Sequence, residues 1–123
     1  GELANRVMHP RYGVEKEYLV EVEGEPTERT ARALERGVEL EDGVARAVSA
    51  RVVGRRPGRG ALRVVMVEGR KREVRRMLEA LGFPVRRLVR LRVGPVRLGR
   101  LRPGQVRPLT PGEVRALYRA AGL

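Results

Sequence analysis

The residues of this chain that could do chemistry are a dense group of cations and one tyrosine. Positions 69–77 read Gly-Arg-Lys-Arg-Glu-Val-Arg-Arg-Met, so Arg70, Lys71, Arg72, Arg75 and Arg76 crowd a glycine and the expected first two turns of a helix. A helix N-terminus attracts phosphate through its free N–H groups and its dipole, and guanidinium forks bind phosphate bidentately. On a helical wheel Arg72 and Arg76 point away from the apolar stripe, toward solvent or a nucleic acid, while Arg75 flanks the stripe and reaches the edge of a buried pocket. The plainer alternative is a solvated basic helix face. Tyr18 stands in Lys16-Glu17-Tyr18, in a chain whose other aromatic residues are Tyr12, Phe83 and Tyr118. On a strand it lies beside Val20 on the apolar face. It serves there either as a core residue with a bonded hydroxyl or as a platform on which a base stacks. The only histidine, His9, precedes Pro10 and reads as a loop or cap residue.

Composition removes several classes. The chain has 123 residues, enough for one domain or part of one. It has no cysteine, which excludes disulfides, thiolate nucleophiles and cysteine-ligated zinc. A single histidine excludes a histidine metal cluster and a Ser-His-Asp triad within this chain. No apolar run approaches the roughly 18 residues of a membrane span. The first ten residues do not read as a signal peptide, so a cytoplasmic protein is expected. The formal charge is +12, and it is polarised: residues 1–54 sum to −3 and residues 55–123 to +15. A polarised excess points to a face that meets phosphates. Arginine supplies all the basic residues except Lys16 and Lys71, a preference that a GC-rich codon bias explains better than function does.

Those residues need elements to hold them. Residues 2–8 read as a helix entered partway through and ended by Pro10, so the natural protein is expected to continue upstream. Residues 15–23 read as a strand with Lys16, Tyr18, Val20 and Val22 on one face and Glu17, Leu19, Glu21 and Glu23 on the other. Thr27 can cap a helix through about Glu35, with Ala31 and Leu34 inward. Glu41-Asp42-Gly43 is a turn, and residues 44–53 read as another strand. Arg55-Arg56-Pro57-Gly58-Arg59-Gly60 reads as a flexible, phosphate-seeking loop. Residues 62–67 suit a central strand buried on both faces. Val74, Met77, Leu78 and Leu81 mark the inner stripe of the cationic helix, which Gly82 and Pro84 end. Residues 89–93 alternate apolar side chains with Arg90 and Arg92. Short strands are expected around Gly94-Pro95 and Pro103-Gly104. Thr110-Pro111-Gly112-Glu113 opens a last helix with Val114, Leu117, Tyr118 and Ala121 on its stripe. The fold class is α+β, a mixed, mainly antiparallel sheet with short packing helices.

In order, three segments resemble the RsuA/RluB-like family of ribosomal RNA pseudouridine synthases. ELANRVMHPRYGVEKEYLVEV resembles the stretch after that family's catalytic loop. GVELEDG resembles its middle turn, and EGRKREVRRMLEALGFPVRRLVRLRVGPVRLGRLRPGQVRPLT its signature helix and C-terminal strands. GVELEDG and GRKREVRRM resemble more closely the members that act on large-subunit rRNA. The resemblance implies isomerisation of a uridine: the base is flipped out, detached from C1′, turned and rejoined through C5. It implies no metal and no organic cofactor, and ribosomal RNA as the partner. It maps Arg75 onto the arginine that pairs with the family's catalytic aspartate, and Tyr18 onto the tyrosine that stacks on the target base. A cation beside a carboxylate in a closed pocket keeps that carboxylate charged. Arg55, Arg56, Arg59, Arg70, Lys71, Arg72, Arg76, Arg90 and Arg92 are the expected RNA contacts.

The departure from the family is large. Its aspartate lies in an Arg-Leu-Asp segment that this chain lacks, and the only aspartate here, Asp42, does not match that motif. The chain therefore reads as the C-terminal portion of a catalytic domain, without the catalytic-Asp segment or the small N-terminal RNA-binding domain. It is expected to be inactive alone and to self-associate through exposed sheet surface. The competing reading is a non-catalytic basic RNA-binding module, such as a ribosomal protein or assembly factor. Binding to an anionic membrane is disfavoured, because no stretch joins a basic face to large exposed aromatics.

Overall fold

The computed structural model describes residues 14–97 and the helix at 111–120. The expected N-terminal helix, the His9–Gly13 segment, the turn at Pro103-Gly104 and the Thr110 cap lie outside the described residues, as do the side chains of the last helix's apolar stripe. Strand β1 is Lys16–Glu23, followed by helix α1, Glu28–Arg36. A small hairpin pairs β2, Val38–Leu40, with β3, Gly43–Ala45. Then come β4, Ser49–Arg56, β5, Arg59–Met66, and helix α2, Glu73–Ala80. Strands β6, Val85–Val93, and β7, Val96–Arg97, precede helix α3, Pro111–Ala120. The main sheet has the order β4-β5-β1-β6-β7, and each of its described pairings is antiparallel. This is the expected α+β class.

One face of the sheet makes the core. Val20 and Val22 of β1 and Leu62, Val64 and Met66 of β5 point to that face and are buried. Ala31 and Leu34 of α1 and Val74, Met77 and Leu78 of α2 pack onto it, as the stripe spacing requires. Thr27 is extended, its N–H donates to Thr30 Oγ1 at 3.0 Å, and α1 starts there.

Four expectations are corrected. First, residues 44–53 form two strands. The chain leaves β3 at Arg46 because Ala47 N–H donates to Leu34 O at the end of α1, and Val48 N–H then joins Val65 O. Second, the Arg55–Gly60 segment is not a flexible loop. β4 and β5 pair up to Arg56↔Arg59, and only Pro57-Gly58 turns, with Gly58 at φ +73°. Third, β5 is an interior strand, paired with both β4 and β1, but it is not buried on both faces: Arg63 and Val65 are half-exposed on the face away from the helices, and β1 holds the middle of the sheet. An apolar run does not reveal which of its faces receives helices. Fourth, the cations do not fill two helical turns. Arg70, Lys71 and Arg72 precede α2, and Arg72 sits in the left-handed region at φ 54°, ψ 29°. It is the one non-glycine residue with positive φ among the described residues.

Candidate active site and nucleic-acid interface

A cleft of about 280 Å³ opens where the start of β1, the end of β5 and the entry to α2 meet. β1 projects Lys16 and Tyr18 into it from one face, as alternation requires. Arg90 stands opposite Tyr18 in the β1–β6 register, and its guanidinium carbon lies 5.6 Å from the ring centroid, a cation–π contact. The turn before α2 contributes Arg70, Lys71 and Arg72. Five of the expected site residues, Tyr18, Arg70, Lys71, Arg72 and Arg90, thus share one cavity. Arg75 is not among its lining residues. It lies on the first turn of α2, half-buried, and makes no hydrogen bond or ion pair among the described residues.

The arginines divide into engaged and unengaged groups. Arg70 is a buckle. Its Nε donates to Glu68 Oε2 at 3.0 Å and Glu73 Oε2 at 2.9 Å, and its two terminal nitrogens donate to Asp42 O at 3.1 Å and Val44 O at 2.8 Å. Arg76 grips both carboxylate oxygens of Asp42, at 2.9 and 3.2 Å. These bonds tie α2 to the turn of the β2–β3 hairpin and give Asp42 a structural role. The bonds from Arg76 hold the Asp42 carboxyl below the usual range. Arg92 is engaged by Glu15, Glu17 and the Gly94 carbonyl. By contrast, Arg55, Arg56 and Arg59 are exposed on the β4–β5 hairpin. They line a second cavity, of about 410 Å³, together with Arg86 of β6. None of these four is engaged in a hydrogen bond or ion pair among the described residues. Arg86 escaped the sequence reading because its nearness to the hairpin is set by the β5-β1-β6 order.

Sequence reasoning also passed over two groups in the cleft itself. Lys16 is 2% exposed and Glu73 4% exposed. Burial pushes the Lys16 pKa down, and nearby Arg90 adds to this. Burial pushes the Glu73 pKa up, Glu68 adds to it, and Arg70 opposes it. The signal for Lys16 was available in the i, i+2 spacing that puts it on the face of Tyr18. Among the described residues, no three His, Cys, Asp or Glu side chains gather as a metal site requires, and no helix is long and apolar enough to cross a membrane.

Comparison with known proteins gives the chain named homologues. An uncharacterized RNA pseudouridine synthase of Aquifex aeolicus is 45% identical over all 123 residues, which cover 49% of that relative. The chain is homologous to the RNA pseudouridine synthases. The ribosomal large subunit pseudouridine synthase B of Bacillus subtilis is 39% identical over 95% of this chain and 49% of its own length. That of Vibrio cholerae is 50% identical over 84% of the chain and 32% of its own length. A solved pseudouridylate synthase structure superposes with a TM-score of 0.77 at 30% identity, covering 95% of this chain and 50% of that one. No family model matches. The chain spans about half the length, or less, of these relatives.

Proposed function

We propose that this chain forms part of the catalytic domain of a pseudouridine synthase that acts on ribosomal RNA, on the large-subunit side of the family. The observation that carries the reading is the cleft: a tyrosine ring under an arginine, walled by cations, in a chain homologous to pseudouridine synthases along its length. A flipped uracil stacks on Tyr18 within the cleft, and unstacking the base from the RNA costs a few kcal/mol, roughly, before chemistry begins. The N1–C1′ bond then breaks, the base turns, C5 bonds to C1′, the proton leaves C5, and N1 takes up a proton in place of its bond to the ribose. Lys71 and Arg72 at the rim receive flanking phosphates, and Arg55, Arg56, Arg59 and Arg86 hold the RNA backbone further out.

The catalytic carboxylate is the missing part. No aspartate lines the cleft, and Asp42 is held by Arg70 and Arg76 at its own turn. Arg75, which makes no bond among the described residues, is the cation that the aspartate of a longer chain would meet. On this reading the chain alone is inactive. β4, the edge of the sheet among the described residues, with Val53 44% exposed, is then a surface through which copies associate.

The test is tritium release from rRNA labelled at C5 of uridine, since rejoining through C5 expels that hydrogen. The chain is run beside a version extended upstream. Release by the extended protein alone supports both the activity and the half-site. Salt-dependent RNA binding without release from either points instead to a non-catalytic RNA-binding module.

A further inference from the structure

The cleft contains two buried polar atoms of opposite hydrogen-bonding sense that no described residue satisfies. One is the Lys16 ammonium nitrogen, a donor; the other is Glu73 Oε1, an acceptor. Both residues line the same cleft, yet they form no ion pair with each other within the 4.0 Å reach of the other pairs. Glu73 Oε2 is already taken by Arg70 at 2.9 Å, which leaves Oε1 as the free lone-pair site. A third such atom, Arg76 Nε, differs, because its two terminal nitrogens are on Asp42 and the residue does not line the cleft. Native interiors seldom leave buried donors and acceptors unpaired, so each that remains calls for a partner, whether water, ion or ligand.

The pair defines the chemistry of that ligand. Phosphate offers acceptors only, so it would suit Lys16 and be repelled by Glu73. A neutral group with an acceptor oxygen next to an N–H or O–H suits both. We propose that Lys16 and Glu73 together read a neutral acceptor–donor group on the bound ribonucleotide, Lys16 Nζ donating to its oxygen and Glu73 Oε1 accepting its N–H or O–H. The imide edge of uracil is one such group and the ribose 2′-hydroxyl is the other. The inference rests on the RNA-cleft reading above and makes Lys16 and Glu73 specificity residues. The lowered Lys16 pKa and raised Glu73 pKa agree with two desolvated charges that lack full compensation.

The test measures binding of the chain to a short oligoadenylate carrying one central uridine, 3-methyluridine or 2′-deoxyuridine, by fluorescence anisotropy. Wild type is expected to lose about tenfold or more for one of the two modified residues, the effect of a hydrogen bond to a charged group. Loss on N3-methylation identifies the imide edge, and loss on 2′-deoxygenation the ribose. Lys16→Met should abolish that discrimination without changing the salt slope. Glu73→Gln should abolish it too, because the single amide oxygen is kept by Arg70 and an NH₂ takes the place of Oε1. Equal wild-type affinity for all three oligonucleotides overturns the inference. So does a Lys16→Met salt slope lower by about one, which would make Lys16 a phosphate contact. So does a Lys16→Met protein that melts well below wild type and still discriminates. Wild type with no affinity for any of the three overturns the RNA reading itself.

Discussion

Replacing Arg55, Arg56 and Arg59 together by glutamine should flatten the salt dependence of RNA binding, whereas replacing Arg70, Arg76 and Arg92 should not. The two triplets carry equal charge, and the structure separates them. The hairpin guanidiniums are exposed and unengaged among the described residues. Those of the second triplet bond to carboxylates and carbonyls at 2.8–3.3 Å. Each phosphate neutralised on a single strand contributes about 0.7 to the slope of log K against log salt. Three lost contacts lower the slope by about 2. Between 50 and 200 mM salt, wild type should then lose roughly 16-fold more affinity than the hairpin variant. The second triplet should instead show lower melting temperatures, because Arg70 and Arg76 pin α2 to the β2–β3 turn. The assay is fluorescence anisotropy with single-stranded RNA across that salt range, beside thermal unfolding of each protein. Equal slopes for the two variants, or a hairpin variant with the wild-type slope, would refute the division of the arginines.

Four further outcomes are expected. Gly60→Ala should destabilise by about 1–2 kcal/mol in urea melts: the added Cβ would sit 2.6 Å from Cγ of the buried Pro26, so overpacking exceeds the gain in unfolded-chain entropy. Gly58→Asn, in open space at φ +73°, should be close to neutral in the same melts. Lys16→Met should be more stable than wild type near neutral pH, with the difference closing as pH rises. The folded-state pKa of Lys16 is lowered, so its cost is present where both states are protonated and fades as pH climbs through the folded value toward that of the unfolded chain; urea melts at neutral and alkaline pH measure it. In a version extended upstream, Arg75→Met should cut tritium release by at least a hundredfold with little loss of RNA affinity; intact release would remove the role assigned to Arg75.

The functional reading and the structure meet at Tyr18. Its ring reaches the cleft because β1 is central, and a central strand in an antiparallel sheet has a neighbour on each side to supply cations: Arg90 from β6, and the turn after β5. The left-handed Arg72 belongs to the same arrangement. Its backbone conformation ends the turn and starts α2, which puts Arg72 at the cleft and Glu73 inside it.

Local periodicity was enough to define most elements of this protein. The alternation around Tyr18, the i, i+3, i+4, i+7 stripe from Val74 to Leu81 and the cap residue Thr27 are short-range patterns, and each corresponds to an observed element or helix start. The polarised charge and the segment from Gly69 to Met77 were likewise visible in the chain, because residue type and spacing alone carry that signal. Tertiary structure decided what each cation is for. Arg76 and Arg72 are near neighbours, yet one is spent on Asp42, 34 residues away, and the other lines a cleft. Arg86 joined the hairpin arginines, and Lys16 and Glu73 became an unpaired donor and acceptor, through strand order and helix placement. Hydrogen bonds, ion pairs and desolvation depend on distances between residues far apart in sequence, and those distances exist only once the sheet has closed around β1.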